Sequence, residues 1–229
     1  MSRPISRPVS RPISTEGGRA PVGRTAEPPD VPQRLAAQIG FIVEVDALKT
    51  VLRRSPLIAA ERRENDAEHS WHLALMVTVL AEYSDVPLDV GRTTQLVLLH
   101  DLVEIYAGDT FLYDAAGAAD QQRREQAAAD RLFALLPADQ AARFRALWDE
   151  FEERRTPEAR FAKAMDRLQP LLANFHNQGG TWRTPGVTSA VERDHMAVIA
   201  DASTPLWDYA QQLIEHAADQ GWIAAGQTS

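Results

Sequence analysis

Residues 96–109 read Leu-Val-Leu-Leu-His-Asp-Leu-Val-Glu-Ile-Tyr-Ala-Gly-Asp. Four apolar residues run directly into an adjacent His100–Asp101 pair, so charge arrives where burial would otherwise continue. A buried carboxylate needs a cation or hydrogen bonds. A lone His on an amphipathic helix is more often packed or solvated than a ligand, but this pair has company. His69 lies upstream in Glu-His-Ser-Trp-His (68–72), and Asp166 lies downstream in Ala-Met-Asp-Arg (164–167). The order His, His-Asp, Asp, spread over three helical stretches, can close around one divalent cation. Imidazole nitrogen and carboxylate oxygen suit Mn, Fe, Co, Ni or Zn better than a purely oxygen-seeking ion. Helices also hold such ligands more rigidly than loops do.

Helical periodicity surrounds these residues on both sides. From Val31, Leu35, Ile39, Ile42, Val43 and Leu48 fall mostly at three- and four-residue steps. The segment Arg-Arg-Ser-Pro-Leu (53–57) breaks the pattern, because Pro56 disfavours a helical Ser55. Asn65 or Asp66 caps a helix running to about Tyr83. Pro87-Leu88-Asp89 opens another, ending near Gly108-Asp109. An Ala-rich helix over about 118–136 follows, then one from Pro137 to Arg154. Thr156-Pro157-Glu158 supplies an N-cap and a proline at the first helical position of the helix that carries Asp166. A loop over 179–186 precedes a last helical region at about 188–218. No alternating strand pattern stands out, so the expected class is all-α, a single helical bundle.

Composition narrows the function. The chain has 229 residues, no cysteine and a formal net charge of −8. Disulfides and thiolate metal sites are excluded, and so acidic a protein suits no generic nucleic-acid binding. No apolar run approaches the ~18 residues of a membrane span. A cytoplasmic location is expected. Residues 1–34 carry six Arg against three acids, with Ser-Arg-Pro repeated three times. Proline-rich and poor in apolar residues, residues 1–30 read as a disordered tail, and residues 31–225 as one domain. His72, one turn beyond His69, could be a second ligand or simply structural and is read as structural; His176, His195 and His216 have no ordered partners in sequence and are left out of the ligand set. Trp182, in the Gly-rich loop, is read as packed rather than as a stacking surface.

Three segments carry a resemblance: Arg-Arg-Glu-Asn-Asp-Ala-Glu-His-Ser (62–70), Leu-Leu-His-Asp-Leu-Val-Glu-Ile-Tyr-Ala-Gly-Asp (98–109) and Ala-Lys-Ala-Met-Asp-Arg-Leu (162–168). Together they resemble the HD-domain metal-dependent phosphohydrolases, and more narrowly their 5′-deoxynucleotidase branch, over roughly residues 33–180. Leu-Trp-Asp-Glu-Phe-Glu (147–152) and Thr-Pro-Glu-Ala-Arg-Phe-Ala-Lys (156–163) extend the match. The resemblance implies an HD-domain bundle that removes the 5′-phosphate from (deoxy)nucleoside monophosphates and forms a homodimer. It implies that His69, His100, Asp101 and Asp166 bind one divalent ion (Co, Mn, Fe, Ni, Zn or Mg). It gives Glu104 the task of orienting or deprotonating the attacking water. Asp109 would help protonate the leaving oxygen. Arg54 would lie near the nucleotide, and Lys163 would offset phosphate charge. One position departs from the branch: a tryptophan follows the arginine matching Arg54 and helps exclude a ribose 2′-hydroxyl, whereas this chain has Ser55. The alternatives are another phosphate ester as substrate (a sugar phosphate, an alarmone or a nucleoside natural-product intermediate), or a non-catalytic interaction domain stapled by metal.

Overall fold

A computed structural model describes residues 31–226, apart from the side chains of residues 115–119; the tail expected over residues 1–30 lies outside the described residues. The described residues from Pro32 onward form one compact unit. Helix α1 spans Gln33–Val45 and passes into a 3₁₀ turn, Asp46–Thr50. Strands β1 (Leu52–Pro56) and β2 (Arg63–Asn65) then form an antiparallel ribbon, with Leu52 opposite Asn65 and Pro56 opposite Arg63. The sequence pattern predicts no ribbon here. The five residues of β1 include two arginines and a proline, too short and too polar to display a hydrophobic alternation. The pleat is nonetheless visible in burial: Arg53 and Ser55 turn inward while Leu52 and Arg54 stay exposed.

Helix α2 (Asp66–Leu80) starts in a capping box, where Asn65 accepts from the Glu68 N–H and the Glu68 carboxylate accepts from the Asn65 N–H. The cap is therefore Asn65, and Asp66 is left for another task. Helix α3 (Val90–Leu99) is capped by Asp89. The single helix expected to run on to Asp109 is broken. His100–Val103 is a 3₁₀ turn, and a four-residue helix α4 (Glu104–Ala107) follows before Gly108 at φ 76°. The remaining helices are α5 (Ala115–Phe133), α6 (Ala138–Glu153), α7 (Pro157–His176, capped by Thr156), α8 (Ser189–Met196) and α9 (Thr204–Asp219, capped by Ser203).

Helices α2, α3 and α7 pack mutually at the centre. Leu73, Val77, Leu96, Val97, Met165 and Leu168 form the seam and are essentially inaccessible to solvent. Each such side chain contributes about 1.5–3 kcal/mol of burial, so this trio anchors the helical core. His69 lies on α2, His100 and Asp101 directly follow α3, and Asp166 lies on α7. The core that folds the protein thus also holds these four side chains in place. Trp182 is packed within the core, as expected.

Candidate metal centre and active site

The four side chains meet. His69 Nε2 stands 3.2 Å from Asp166 Oδ1 and 3.9 Å from Asp101 Oδ2. His100 Nε2 stands 2.9 Å from Asp101 Oδ1 and 3.7 Å from Asp166 Oδ1. The two imidazole centroids are 5.5 Å apart. All four residues are buried.

Hydrogen bonds on the far sides of the rings decide which nitrogens are free. His100 Nδ1 is 2.8 Å from the Val97 carbonyl oxygen, which can only accept, so Nδ1 carries the proton. His69 Nδ1 is 3.2 Å from Gln169 Oε1 and likewise donates. In the neutral rings both Nε2 atoms are therefore bare, and each faces carboxylate oxygens across a gap with no proton in it. His100 Nε2, despite its closeness to Asp101, has no hydrogen-bond partner. Asp101 and Asp166 are each paired on one side, with Arg53 and Lys163, and the lone-pair nitrogens facing their other oxygens leave a place for one more positive charge. Without a metal that charge is a proton: burial pulls the His100 imidazole down, but the Asp101 and Asp166 carboxylates outweigh it and push it up to about 10. Asp101 and Asp166 are held well below the usual carboxylate range. For Asp101 burial is outweighed by His100 and Arg53, and for Asp166 by Lys163 and the two imidazoles. The donor set fits a divalent cation.

Beside it, Asp66, Glu104 and Asp109 each bring a carboxylate oxygen within 4.8 Å of the others. Burial, then the neighbouring carboxylates Asp101 and Asp66, raise the Glu104 carboxyl well above its ordinary value. Burial and Asp101 push Asp66 up to about 7. Asp109 is also raised, by burial first, although Arg53 opposes it. Acids held this close share protons or a cation.

The chain belongs to the HD domain family. The family's model, described as an HD domain, matches residues 45–207, which contain every residue of this cluster. The human protein named 5′-deoxynucleotidase HDDC2 is 31% identical over 133 residues, 58% of this chain and 64% of that protein. The match thus spans just under two thirds of the human relative's length. In Schizosaccharomyces pombe the 5′-deoxynucleotidase hdd1 is 25% identical over 190 residues, 81% of this chain and 86% of that one. A solved structure described as a predicted metal-dependent phosphohydrolase from Magnetospirillum magnetotacticum MS-1 is 53% identical. It covers 83% of this chain and 96% of its own, with a TM-score of 0.80.

In this HD domain His100, Asp101 and Asp166 line one wall of a cavity of about 390 Å³, within the usual range for small-molecule sites; His69 is fully buried beside them. Arg54, Ser55, Glu104, Asp109 and Lys163 also line the cavity, so the five residues singled out in the sequence for catalysis or substrate share it with His100, Asp101 and Asp166. Their partners differ from the expectations. Lys163 donates to Asp166 Oδ2 at 2.8 Å, so its charge already serves a carboxylate of the cluster. Arg54 is exposed and stacks on Phe111, 4.6 Å from the ring centroid. The arginine inside the cluster is Arg53. Its guanidinium reaches Asp101 Oδ2 at 2.9 Å, Asp66 Oδ1 at 3.5 Å and Glu64 Oε2 at 3.7 Å. Burial would lower its pKa, but Asp101, then Asp166, Glu104 and Asp66, keep it firmly charged.

Sequence reasoning missed Arg53, Asp66, Glu64, Gln169 and Arg167. Spacing held a signal for three of them. Asp66 precedes His69 by three residues and Gln169 follows Asp166 by three, each on its ligand's side of the helix. Arg167 shares the cavity-facing stripe of Lys163, Asp166, Pro170 and Asn174 on α7. His195 also lines the cavity, whereas His72 lies outside the cluster, 3.5 Å from Gln169 Nε2.

Proposed function

We propose that this protein is a metal-dependent phosphohydrolase that removes the 5′-phosphate from nucleoside and deoxynucleoside monophosphates. The observation that carries the reading is the convergence of two bare imidazole nitrogens and two carboxylates beside a nucleotide-sized cavity. A second feature of the cavity suits an anionic substrate. Among the described residues, Lys163 and Arg53 are committed to carboxylates, while Arg54 and Arg167 line the cavity with no ion pair or hydrogen bond. Two uncommitted guanidinium groups are well matched to phosphate geometry. The nucleotide itself is suggested by the names of the human and yeast relatives.

In this reading His69, His100, Asp101 and Asp166 hold the cation. Such an ion (Co, Mn, Fe, Ni, Zn or Mg) supplies Lewis acidity, making water acidic enough to ionise near neutrality and screening the phosphate dianion. The chain's own residues do the rest. Glu104, buried and with a raised pKa, is suited to take a proton from the attacking water near neutral pH. Asp109, also raised, is suited to return one to the leaving 5′-oxygen. Arg54 and Arg167 orient the phosphate, and Ser55, buried in the cavity wall, leaves room beside the sugar.

The proposal extends to a domain over residues 31–225, a cytoplasmic location and a homodimer. Among the described residues no helix is long and apolar enough to cross a membrane. Exposed Ile39, Ile42 and Val43 on α1 and Trp71, Leu75 and Val79 on α2 offer apolar surface for a second copy. The test is a panel of phosphomonoesters given to metal-loaded protein: dAMP, AMP, ribose 5-phosphate and a guanosine tetraphosphate-type alarmone. Fastest phosphate release from the nucleoside monophosphates supports the reading. Release only from the sugar phosphate or alarmone, or from none, overturns it.

A further inference from the structure

We propose that Glu64 and Gln169 act as a buried tautomer lock on His69, positioning residues that keep its Nε2 bare for the cation. The inference rests on the metal-centre reading above and adds two residues to it. Glu64 lies on β2 and is 2% exposed; Gln169 lies on α7 and is 4% exposed; His69 is fully buried. Gln169 Nε2 donates to Glu64 Oε1 at 2.8 Å. A carboxylate only accepts, so it claims the amide's NH₂ end and fixes which way the amide faces. The carbonyl end, Oε1, is thereby turned toward His69 Nδ1 at 3.2 Å, where it too can only accept. The proton of the neutral ring is held on Nδ1. The lone pair is left on Nε2, on the side of Asp166 and Asp101.

A serine or water in place of Gln169 could donate or accept and would select neither tautomer. An amide oriented by a carboxylate selects one. The far oxygen of Glu64 makes no hydrogen bond; it lies 3.7 Å from Arg53 Nε and 3.6 Å from His69 Nδ1, so the carboxylate also places negative charge beside the Nδ1 proton. Gln169 follows Asp166 by one helical turn, so a single rigid helix carries both a ligand and the group that orients the opposing ligand. The nitrogen of a His that binds metal is set by the hydrogen bond its other nitrogen makes. Loss of such outer partners typically weakens metal binding by 10–100-fold.

The test uses the full chain stripped with a chelator and titrated with Mn²⁺ in competition with an indicator of known affinity. Gln169→Leu should bind Mn²⁺ about 10–100-fold more weakly than wild type. The double swap Glu64→Gln with Gln169→Glu exchanges amide and carboxylate but still presents an acceptor to His69 Nδ1, so it should recover most of that loss. Ring-nitrogen NMR of His69 in metal-free wild type, at a pH where the ring is neutral, should report the Nδ1-protonated form. This last measurement needs no variant to fold. Unchanged Mn²⁺ affinity in Gln169→Leu, a swap no better than the single variant, or an Nε2-protonated ring overturns the lock. Wild type that binds no Mn²⁺ overturns the metal-centre reading instead, and the NMR spectrum then decides the tautomer by itself.

Discussion

Replacing Arg53 with methionine tests whether the cluster is electrostatically balanced as its geometry implies. Methionine keeps much of the stem's apolar volume and removes the guanidinium with its charge and N–H donors. The guanidinium lies 2.9 Å from Asp101, 3.5 Å from Asp66 and 3.7 Å from Glu64, and its side chain is 14% exposed. Stripping one partner from a buried ion pair costs about 3–5 kcal/mol. Three acids lose a counter-charge here, but part of the loss is recovered by proton uptake at Asp66, whose pKa is already pushed up to about 7. We expect about 3 kcal/mol at pH 8 in chelator. At roughly 2–4 °C per kcal/mol for a chain of this size, that is about a 6–12 °C fall in Tm. The sign of the pH dependence follows from linkage. Without Arg53 the Asp66 carboxyl rises further above its unfolded value near 4 and Asp101 loses part of its depression, so the native state binds more protons and the deficit grows with pH. Thermal melts of wild type and Arg53→Met at pH 5 and pH 8 measure both quantities. A deficit under about 1 kcal/mol, or one larger at pH 5 than at pH 8, would mean that Arg53 is effectively solvated and the cluster needs no internal cation.

Three further outcomes are expected. Glu104→Gln should retain bound metal, by elemental analysis, yet lose ~10²–10⁴-fold in kcat; near wild-type turnover would reduce Glu104 to a packed side chain. Ser55→Trp should raise the ratio of kcat/KM for dAMP over AMP roughly ten- to a hundredfold from a wild-type value near unity, since failing to pair one buried hydroxyl costs ~1–3 kcal/mol. A large preference for dAMP in wild type would show that another group excludes the ribose. Finally, metal-free protein should lose stability as pH rises. The Asp66 carboxyl keeps its proton in the folded state to about pH 7, and the imidazolium of His100 keeps its own to about pH 10. Unfolded, these groups release protons near 4 and 6.5, so their stabilising uptake is lost across those windows. The Tm gain from saturating Mn²⁺ should therefore be larger at pH 8.5 than at pH 5.5, and a gain that shrinks with pH would count against a cation at this cluster.

The helical part of this architecture was legible because apolar spacing and caps agree: Thr156-Pro157 and Asp89 start helices where the residues say they should. His100–Asp101 announced itself by interrupting an apolar run, and the ligand order led to the other two positions. What stayed hidden depended on tertiary pairing. The β1–β2 ribbon is fixed by backbone pairing and by Arg63 reaching back to the carbonyls of β1, which no local pattern encodes. The choice between Arg53 and Arg54 turned on which side of a five-residue strand faces inward. Asp66 read as a cap because it neighbours one. Gln169 has no chemical signature alone; its meaning comes from Glu64, 105 residues earlier in the chain. The interruption at His100–Val103 likewise defies periodicity, because a 3₁₀ turn continues a helix in sequence while re-aiming its side chains.

The most direct test of the central claim is to titrate metal-stripped wild type and His100→Ala with Mn²⁺ while measuring bound metal and phosphate released from dAMP. The account predicts that wild-type activity rises with metal occupancy and saturates at one tightly bound ion per chain. His100→Ala should bind little metal and release no phosphate above the metal-free blank. Full metal occupancy in His100→Ala, or a metal-saturated wild type that releases no phosphate from dAMP, would contradict it.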